Sequence, residues 1–465
     1  MTGGATRRGV LTGAAMMPLA ACAGGAGEAS GFDARVGAIL RRIEPPRIPA
    51  RDVPLAGLTE GTDLRAPLQA ALDAAAAEGG GCITVPPGTW ACEGPIRLRS
   101  RCALHLAEGA RVVFTGDASA YLPLVLTRWE GTEAFNYSPM IYGRNLTDVA
   151  ITGQGVLDGQ GAERFLPWRE RQGPDQAALR AMGRDGVPVR DRVFGPGHFL
   201  RPQFVQLIGC QRVLIEGVTL TDSPFWVVHP VYCRSVTVRD VTIVSRHLNS
   251  DGVDPDSSED VLVEGCTFET GDDGVAVKSG RDQDGWRVGR PSRRIVVRGC
   301  RYAGDAGGGV AVGSEMSGGV QDIYVDGYEM SSVSHAVYLK ANGDRGGYVR
   351  GVHARDLRIG RADEVLVITN QYKDRVAGAH PAAFSNVTLT DVRCGEAEAI
   401  ATINCAPASP VRCVTLRDVT VGSAEVPLRA RGVEGMRFVN VRAGGQAVAA
   451  VEDTGAASFE GTKHY

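Results

Sequence analysis

Beyond its first 22 residues the chain has no uninterrupted run of the about 20 apolar residues that a membrane-spanning helix requires. No transmembrane span is therefore expected. Charge of either sign is not in excess: Lys and Arg total 50 against 53 Asp and Glu, spread along 465 residues, giving a formal net charge of −3. That balance excludes a polybasic surface for nucleic acid or anionic lipid. No two cysteines form the C-x-x-C arrangement of a zinc site, so no metal is expected. Cys394, Cys405 and Cys413 lie close enough in sequence for one disulfide in an oxidising compartment, or remain as buried thiols. The tryptophan-aspartate signature and four-strand spacing of a β-propeller blade are also missing.

What the sequence does have is glycine, 61 of them, and 43% hydrophobic residues. Without a collagen-like period, that much glycine points to many tight turns between short strands. The N-terminus reads as an address. Arg7-Arg8 followed by a small, apolar run resembles a twin-arginine export signal, and Leu19-Ala20-Ala21-Cys22 resembles a lipobox. Residues 1–21 are expected to be a removed signal peptide, with Cys22 lipidated and residues 22–50 serving as tether and linker. The implied location is a periplasmic or membrane-anchored lipoprotein facing the periplasm or exterior. Residues 51–465 then form one catalytic domain.

From about residue 146 one pattern recurs. The clearest copies are 213–220 (VLIEGVTL), 236–243 (VTVRDVTI), 261–268 (VLVEGCTF) and 295–302 (IVVRGCRY), with further copies beginning at Ile323, Val352, Val387 and Val414. In each, the first, third, sixth and eighth positions are mostly apolar and the fourth and fifth turn a corner. Cys266 and Cys300 share one register and read as inward-stacked side chains. Repetition of this kind predicts a solenoid. The expected fold is all-β: a single-stranded parallel β-helix with a capping helix over residues 64–78 that covers the open end. The segment 164–199 does not fit the repeat and is expected to shape a cleft.

Three polar segments interrupt the apolar pattern: 249–256 (NSDGVDPD), 271–274 (GDDG) and 313–319 (GSEMSGG). Asp251 and Asp272 are 21 residues apart, about one coil, so they belong on neighbouring rungs about 4.8 Å apart. Asp273 joins them only if the backbone leaves ideal pleating, which Gly271 and Gly274 permit. Two carboxylates about 4 Å apart at an effective dielectric of about 20 repel by about 4 kcal/mol, so one of the three should keep its proton. A protonated acid facing an ionised partner about 6.5–9.5 Å away suits an inverting glycosidase.

These segments, together with 155–161 (GVLDGQG), 223–230 (SPFWVVHP) and 345–347 (RGG), resemble the polygalacturonase family, glycoside hydrolase family 28, and its bacterial exo-acting branch in particular. The resemblance implies a right-handed, pectin-lyase-like parallel β-helix that hydrolyses pectic chains of galacturonan or rhamnogalacturonan type with inversion and without a cofactor; a monomer is expected. It assigns Asp272 as general acid, and Asp251 and Asp273 as the residues that hold and deprotonate the water. Two family residues are replaced. Gly307-Gly308-Gly309 stands where the family has Gly-His-Gly, and Tyr338-Leu339-Lys340 where it has Arg-Ile-Lys. An arginine's bidentate grip on a carboxylate is not supplied by tyrosine. Tyr338 is instead a candidate to stack on a sugar face. Lys340 and Arg345 are expected to contact a uronate, and Asn249, Asp254, Lys278 and Glu315 to line the cleft. His229 reads as structural, while His247 is a candidate for the missing histidine. The alternative readings are a calcium-dependent pectate lyase and a non-catalytic glycan-binding β-helix.

Overall fold

The computed structural model describes residues 28–59, 61–374 and 378–459. The signal peptide and Cys22 expected from the sequence lie outside those residues. Val213, Val236, Val261, Ile295, Ile323, Val352, Val387 and Val414, the first residues of the eight sequence copies, are consecutive register partners in one parallel stack. Each copy is therefore one coil, and the fold is the expected right-handed parallel β-helix. The inward positions carry aliphatic side chains from coil to coil and form a single continuous core. Cys266 and Cys300 are buried in it, with their thiols hydrogen-bonded to each other. Cys394 and Cys405 are free thiols, so no disulfide forms among Cys394, Cys405 and Cys413, and the buried-thiol alternative holds for the first two.

The corner has a specific backbone cause. Its fifth position is Gly217, Asp240, Gly265, Gly299, Gly327, Asp356, Asp391 and Asp418 in successive coils, and every one has positive φ. Glycine adopts this left-handed conformation freely and Asp with little penalty, whereas β-branched residues do not. That is why the repeat alternates between these two residue types there.

The helix Arg65–Ala77 buries Leu68, Leu72 and Ala75 over the first coil and covers its end, as its apolar spacing predicts. Asp63 Oδ1 accepts from the backbone N–H of Arg65 at 3.2 Å. The tether reading of 22–50 is corrected over its later part, because Glu28–Leu40 forms a helix docked on the outside of the solenoid. Val36 and Ile39 bury against Leu262, Val296 and Tyr324, each from a different coil, and Arg42 pairs with Asp260 at 3.0 Å. This contact was not evident in a glycine- and alanine-rich stretch, because it depends on a surface assembled from three distant repeats. No helix among the described residues is long and apolar enough to cross a membrane.

The off-pattern segment carries the helix Gly173–Arg184. Gln176 and Arg180 bind Glu130, which also meets Arg281 beside the polar segments. The insertion is thereby fixed as one wall next to the acidic residues.

Candidate active site

Asp251, Asp272 and Asp273 converge, each offering a carboxylate oxygen within 4.8 Å of the others. Backbone pairing puts them on adjacent rungs: Gly252 N–H donates to Asp273 O at 2.9 Å and Val253 N–H to Gly274 O at 3.0 Å. The pleat breaks at Asp272 as required, but by another device than the one expected. Neither Gly271 nor Gly274 has positive φ. Instead, Asp272 Oδ1 accepts from the backbone N–H of Asp273 at 3.0 Å, and Thr270 Oγ1 donates to Asp272 O at 2.7 Å. The glycines supply room: a Cβ at 271 would lie 2.3 Å from His247 O, and one at 274 would lie 2.6 Å from the Tyr328 hydroxyl.

The three acids differ in surroundings. Asp251 and Asp273 are buried, whereas Asp272 is half-buried and keeps some access to solvent. Lys278 Nζ donates to Asp251 Oδ2 at 3.2 Å, and Lys340 Nζ to Asp273 Oδ2 at 2.9 Å. Burial together with the charges of Asp251 and Asp273 pushes the Asp272 carboxyl up to about 7. Asp273 lies below the ordinary carboxylate value, since Lys340 and Lys278 outweigh the burial that would raise it. Burial raises Asp251 although Lys278 opposes it. The site is therefore split between one proton-holding acid at the surface and an ionised partner beneath it.

Asp254, read as a cleft residue, is fully buried behind Asp251. Burial and the Asp251 charge raise its pKa well above the ordinary range. It has no surface to offer a ligand. Lys278 is likewise beneath the groove, held charged by Asp251, Glu315 and Asp254 despite burial that would lower its pKa. Glu315 meets Arg281 at 2.5 Å and Lys278 at 3.5 Å. Arg345, expected to contact a uronate, is 1% exposed with its Nη1 on Asp282 at 2.5 Å. Asn249 Oδ1 accepts from Arg201 at 2.9 Å. Asp254, Lys278, Glu315 and Arg345 form a buried scaffold beside the acids, whereas Asn249 is half-buried, and Lys340 pairs directly with Asp273.

Tyr338 is corrected too. It is buried, with the His335 ring 4.3 Å away and Lys340 Nζ 4.7 Å over its own ring, so it presents no open face to a sugar. His229 is structural as expected, fully buried against Gln206 at 2.9 Å and Asp256 at 3.4 Å. His247, the candidate for the missing histidine, is half-buried with its Nε2 2.5 Å from Asp222 Oδ1. Sequence reading missed Arg281 and Trp226, whose ring lies 4.6 Å from Lys278 Nζ. Only the position of Arg281 three residues after Lys278 hinted at a second cation here.

Residues 196–435 match the family model described as "Glycosyl hydrolases family 28". The chain is similar to a "Probable polygalacturonase" of Vitis vinifera, 30% identical over 77% of this chain and 71% of that protein. Its fold overlays "a hyperthermoactive Exopolygalacturonase from Thermotoga maritima" with a TM-score of 0.83 at 35% identity, covering 88% of this chain and 97% of that one. A family 28 exopolygalacturonase of Yersinia enterocolitica, 19% identical with a TM-score of 0.66 over 85% of this chain and 76% of that one, shares the fold.

Proposed function

The chain belongs to glycosyl hydrolases family 28, an O-glycosyl hydrolase family, and from that premise we propose that it cleaves glycosidic bonds in pectic chains from their ends, with inversion. Asp272 protonates the leaving oxygen, while Asp251 and Asp273 hold and deprotonate the water. The observation carrying this reading is the division within the triad: Asp272, half-buried, is pushed up to about 7, while Asp273 beside it stays low under Lys340. At neutral pH one can donate a proton while the other accepts one. The match to an exopolygalacturonase at 35% identity supports attack at chain ends.

The nearest oxygens, within 4.8 Å, are closer than the about 6.5–9.5 Å expected from the usual inverting geometry. A pair of carboxylates gripping the water from the rung below and the same rung relieves this, because the water need not lie on the line between the closest oxygens. Stereochemistry is decided by NMR on defined galacturonan and rhamnogalacturonan oligosaccharides. The first-formed product should carry the inverted anomeric configuration, and a retained anomer would refute the water-holding roles of Asp251 and Asp273. No hydrolysis of any pectic fragment, with sugar binding intact, would favour the glycan-binding alternative.

Clustered carboxylates also suit calcium, which a pectate lyase would use. Here two ammonium groups already lie against the cluster, and Ca2+ seeks 6–8 oxygen ligands. Activity is therefore expected to be unchanged by excess EDTA, and no unsaturated product should absorb in the ultraviolet. Loss on chelation with recovery on added Ca2+ would select the lyase. Export by the twin-arginine route, lipidation at Cys22 and a monomeric state complete the proposal. Radiolabelled palmitate incorporation that vanishes in Cys22→Ser tests the anchor.

A further inference from the structure

On the wall beyond the acids lie three buried ionisable side chains to which the hydrolysis above gives no part: His335, Glu364 and Arg429, at 6%, 1% and 7% exposure. They belong to one stack. Gly308, His335 and Glu364 are register partners on successive rungs, and Arg429 reaches back from a later coil. His335 Nδ1 is 3.6 Å from Glu364 Oε2, and Arg429 Nη1 is 3.9 Å from Glu364 Oε1.

The near end of this stack meets the catalytic group at a glycine. A Cβ on Gly308 would lie 2.8 Å from Asp273 Oδ1 and 3.7 Å from His335 Cδ2. The two side chains therefore face each other across the space of one absent methyl group. Lys340 binds Oδ2 of Asp273, so Oδ1 is the oxygen turned toward His335. Signs alternate along the wall from Asp273 through His335 and Glu364 to Arg429 when the imidazole is protonated. Each charge then sits beside its opposite in a medium where a lone ion would be strongly disfavoured.

We propose that His335 is a positioning residue for Asp273, set against its free oxygen from the rungs beyond and steadied from behind by Glu364 and Arg429. This rests on the hydrolase reading for its kinetic consequence, but not for its electrostatics. The groups facing the imidazole are Asp273 across Gly308, Glu364 on the next rung and the Tyr338 ring, with Lys340 beyond Tyr338 and Arg429 beyond Glu364. The imidazolium also helps hold Asp273 ionised.

The test has two arms. In the full chain, NMR titration of labelled histidine should show the His335 midpoint moving to lower pH in Asp273→Asn, because a facing anion has been removed. An unmoved midpoint overturns the proposal whatever the enzyme's substrate. In the kinetic arm, His335→Gln should lower kcat about 100-fold, the scale of a misplaced catalytic group, with KM little changed. The acid limb of its pH profile should also shift upward, since Asp273 loses a neighbouring cation. Glu364→Gln should reproduce part of both effects, and a merely structural histidine would lower the melting temperature without moving the limb. Wild-type kcat and limb in His335→Gln would also sink the idea. If that variant does not fold, the titration decides alone. A wild-type chain inactive on every pectic fragment counts against the hydrolase reading, and the titration still decides the contact.

Discussion

Asp272→Asn is expected to cut turnover by about 10²- to 10⁴-fold while leaving the fold as stable as before or more so. The amide keeps the shape of the carboxyl and can still accept from the backbone N–H of Asp273, whose bond to Oδ1 is 3.0 Å. What it loses is the proton. General acid catalysis contributes about 10²- to 10⁴-fold, and kcat should fall by that factor. Stability moves the other way for an electrostatic reason. Burial and two neighbouring carboxylates raise Asp272 to about 7, so above that pH the native state carries a charge its surroundings disfavour. A group whose folded pKa is raised above its unfolded value of about 4, and which is anionic when deprotonated, destabilises the fold increasingly as pH rises through that window. Asparagine removes the effect, so the variant's melting temperature at pH 8 should equal or exceed that of the native chain. More than a tenth of wild-type activity in the folded variant would refute Asp272 as the acid, and a lower melting temperature at pH 8 would refute the electrostatic argument.

The same values set the shape of the wild-type profile. With Asp272 as the acid and Asp273 as the base, activity would require Asp272 protonated and Asp273 ionised. The alkaline limb should fall near pH 7, where Asp272 loses its proton, and the acid limb should lie below the ordinary carboxylate range because Lys340 holds Asp273 low. Residual activity of the Asn variant should lack the alkaline limb. A native profile that stays flat to pH 9 would contradict the assignment.

The solenoid was legible in the sequence because each coil repeats the same local demands. Val213, Val236 and Val261 recur at the inward position, and Gly217, Asp240 and Gly265 at the left-handed corner, so period and corner chemistry agree. The acidic triad was legible for the same reason: a spacing of one coil becomes adjacency. Depth was not legible. Asp254, three residues from Asp251 and in the same polar segment, is fully buried although both carboxylates lie against the one Lys278 ammonium, at 3.9 Å and 3.2 Å. Tyr338 and Arg345 looked like ligand contacts, yet loops from other coils close over them. His335 sat unnoticed in an apolar run, since its significance comes from Gly308 one rung away. Burial and cross-rung contacts of this kind depend on which loops cover which rungs, and the repeat does not encode that.

Lys278→Met should be the most destabilising single change in the site. The Lys278 ammonium is within 3.2 Å of Asp251, 3.9 Å of Asp254 and 3.5 Å of Glu315, donates to Gly313 O at 3.1 Å, and lies against the Trp226 ring. Its side chain is 4% exposed, so water cannot replace it. Methionine fills the volume and removes the charge. Glu315 keeps Arg281 at 2.5 Å, but Asp251 loses its only hydrogen-bonded ammonium and still faces Asp254, Asp272 and Asp273. Breaking a buried pair from one side is worth about 3–5 kcal/mol, and a loss of that size is expected at pH 8 by chemical denaturation. The loss should depend on pH in a defined direction. Without its cation, Asp251 has a folded pKa raised further above the unfolded value, so the destabilisation is full above that folded pKa. It fades as pH falls toward about 4, where both states are protonated. The gap between variant and native stability should therefore narrow between pH 8 and pH 5. A gap constant across that range would mean that Lys278 acts through packing alone, and the charge-balanced scaffold beside the acids would have to be given up.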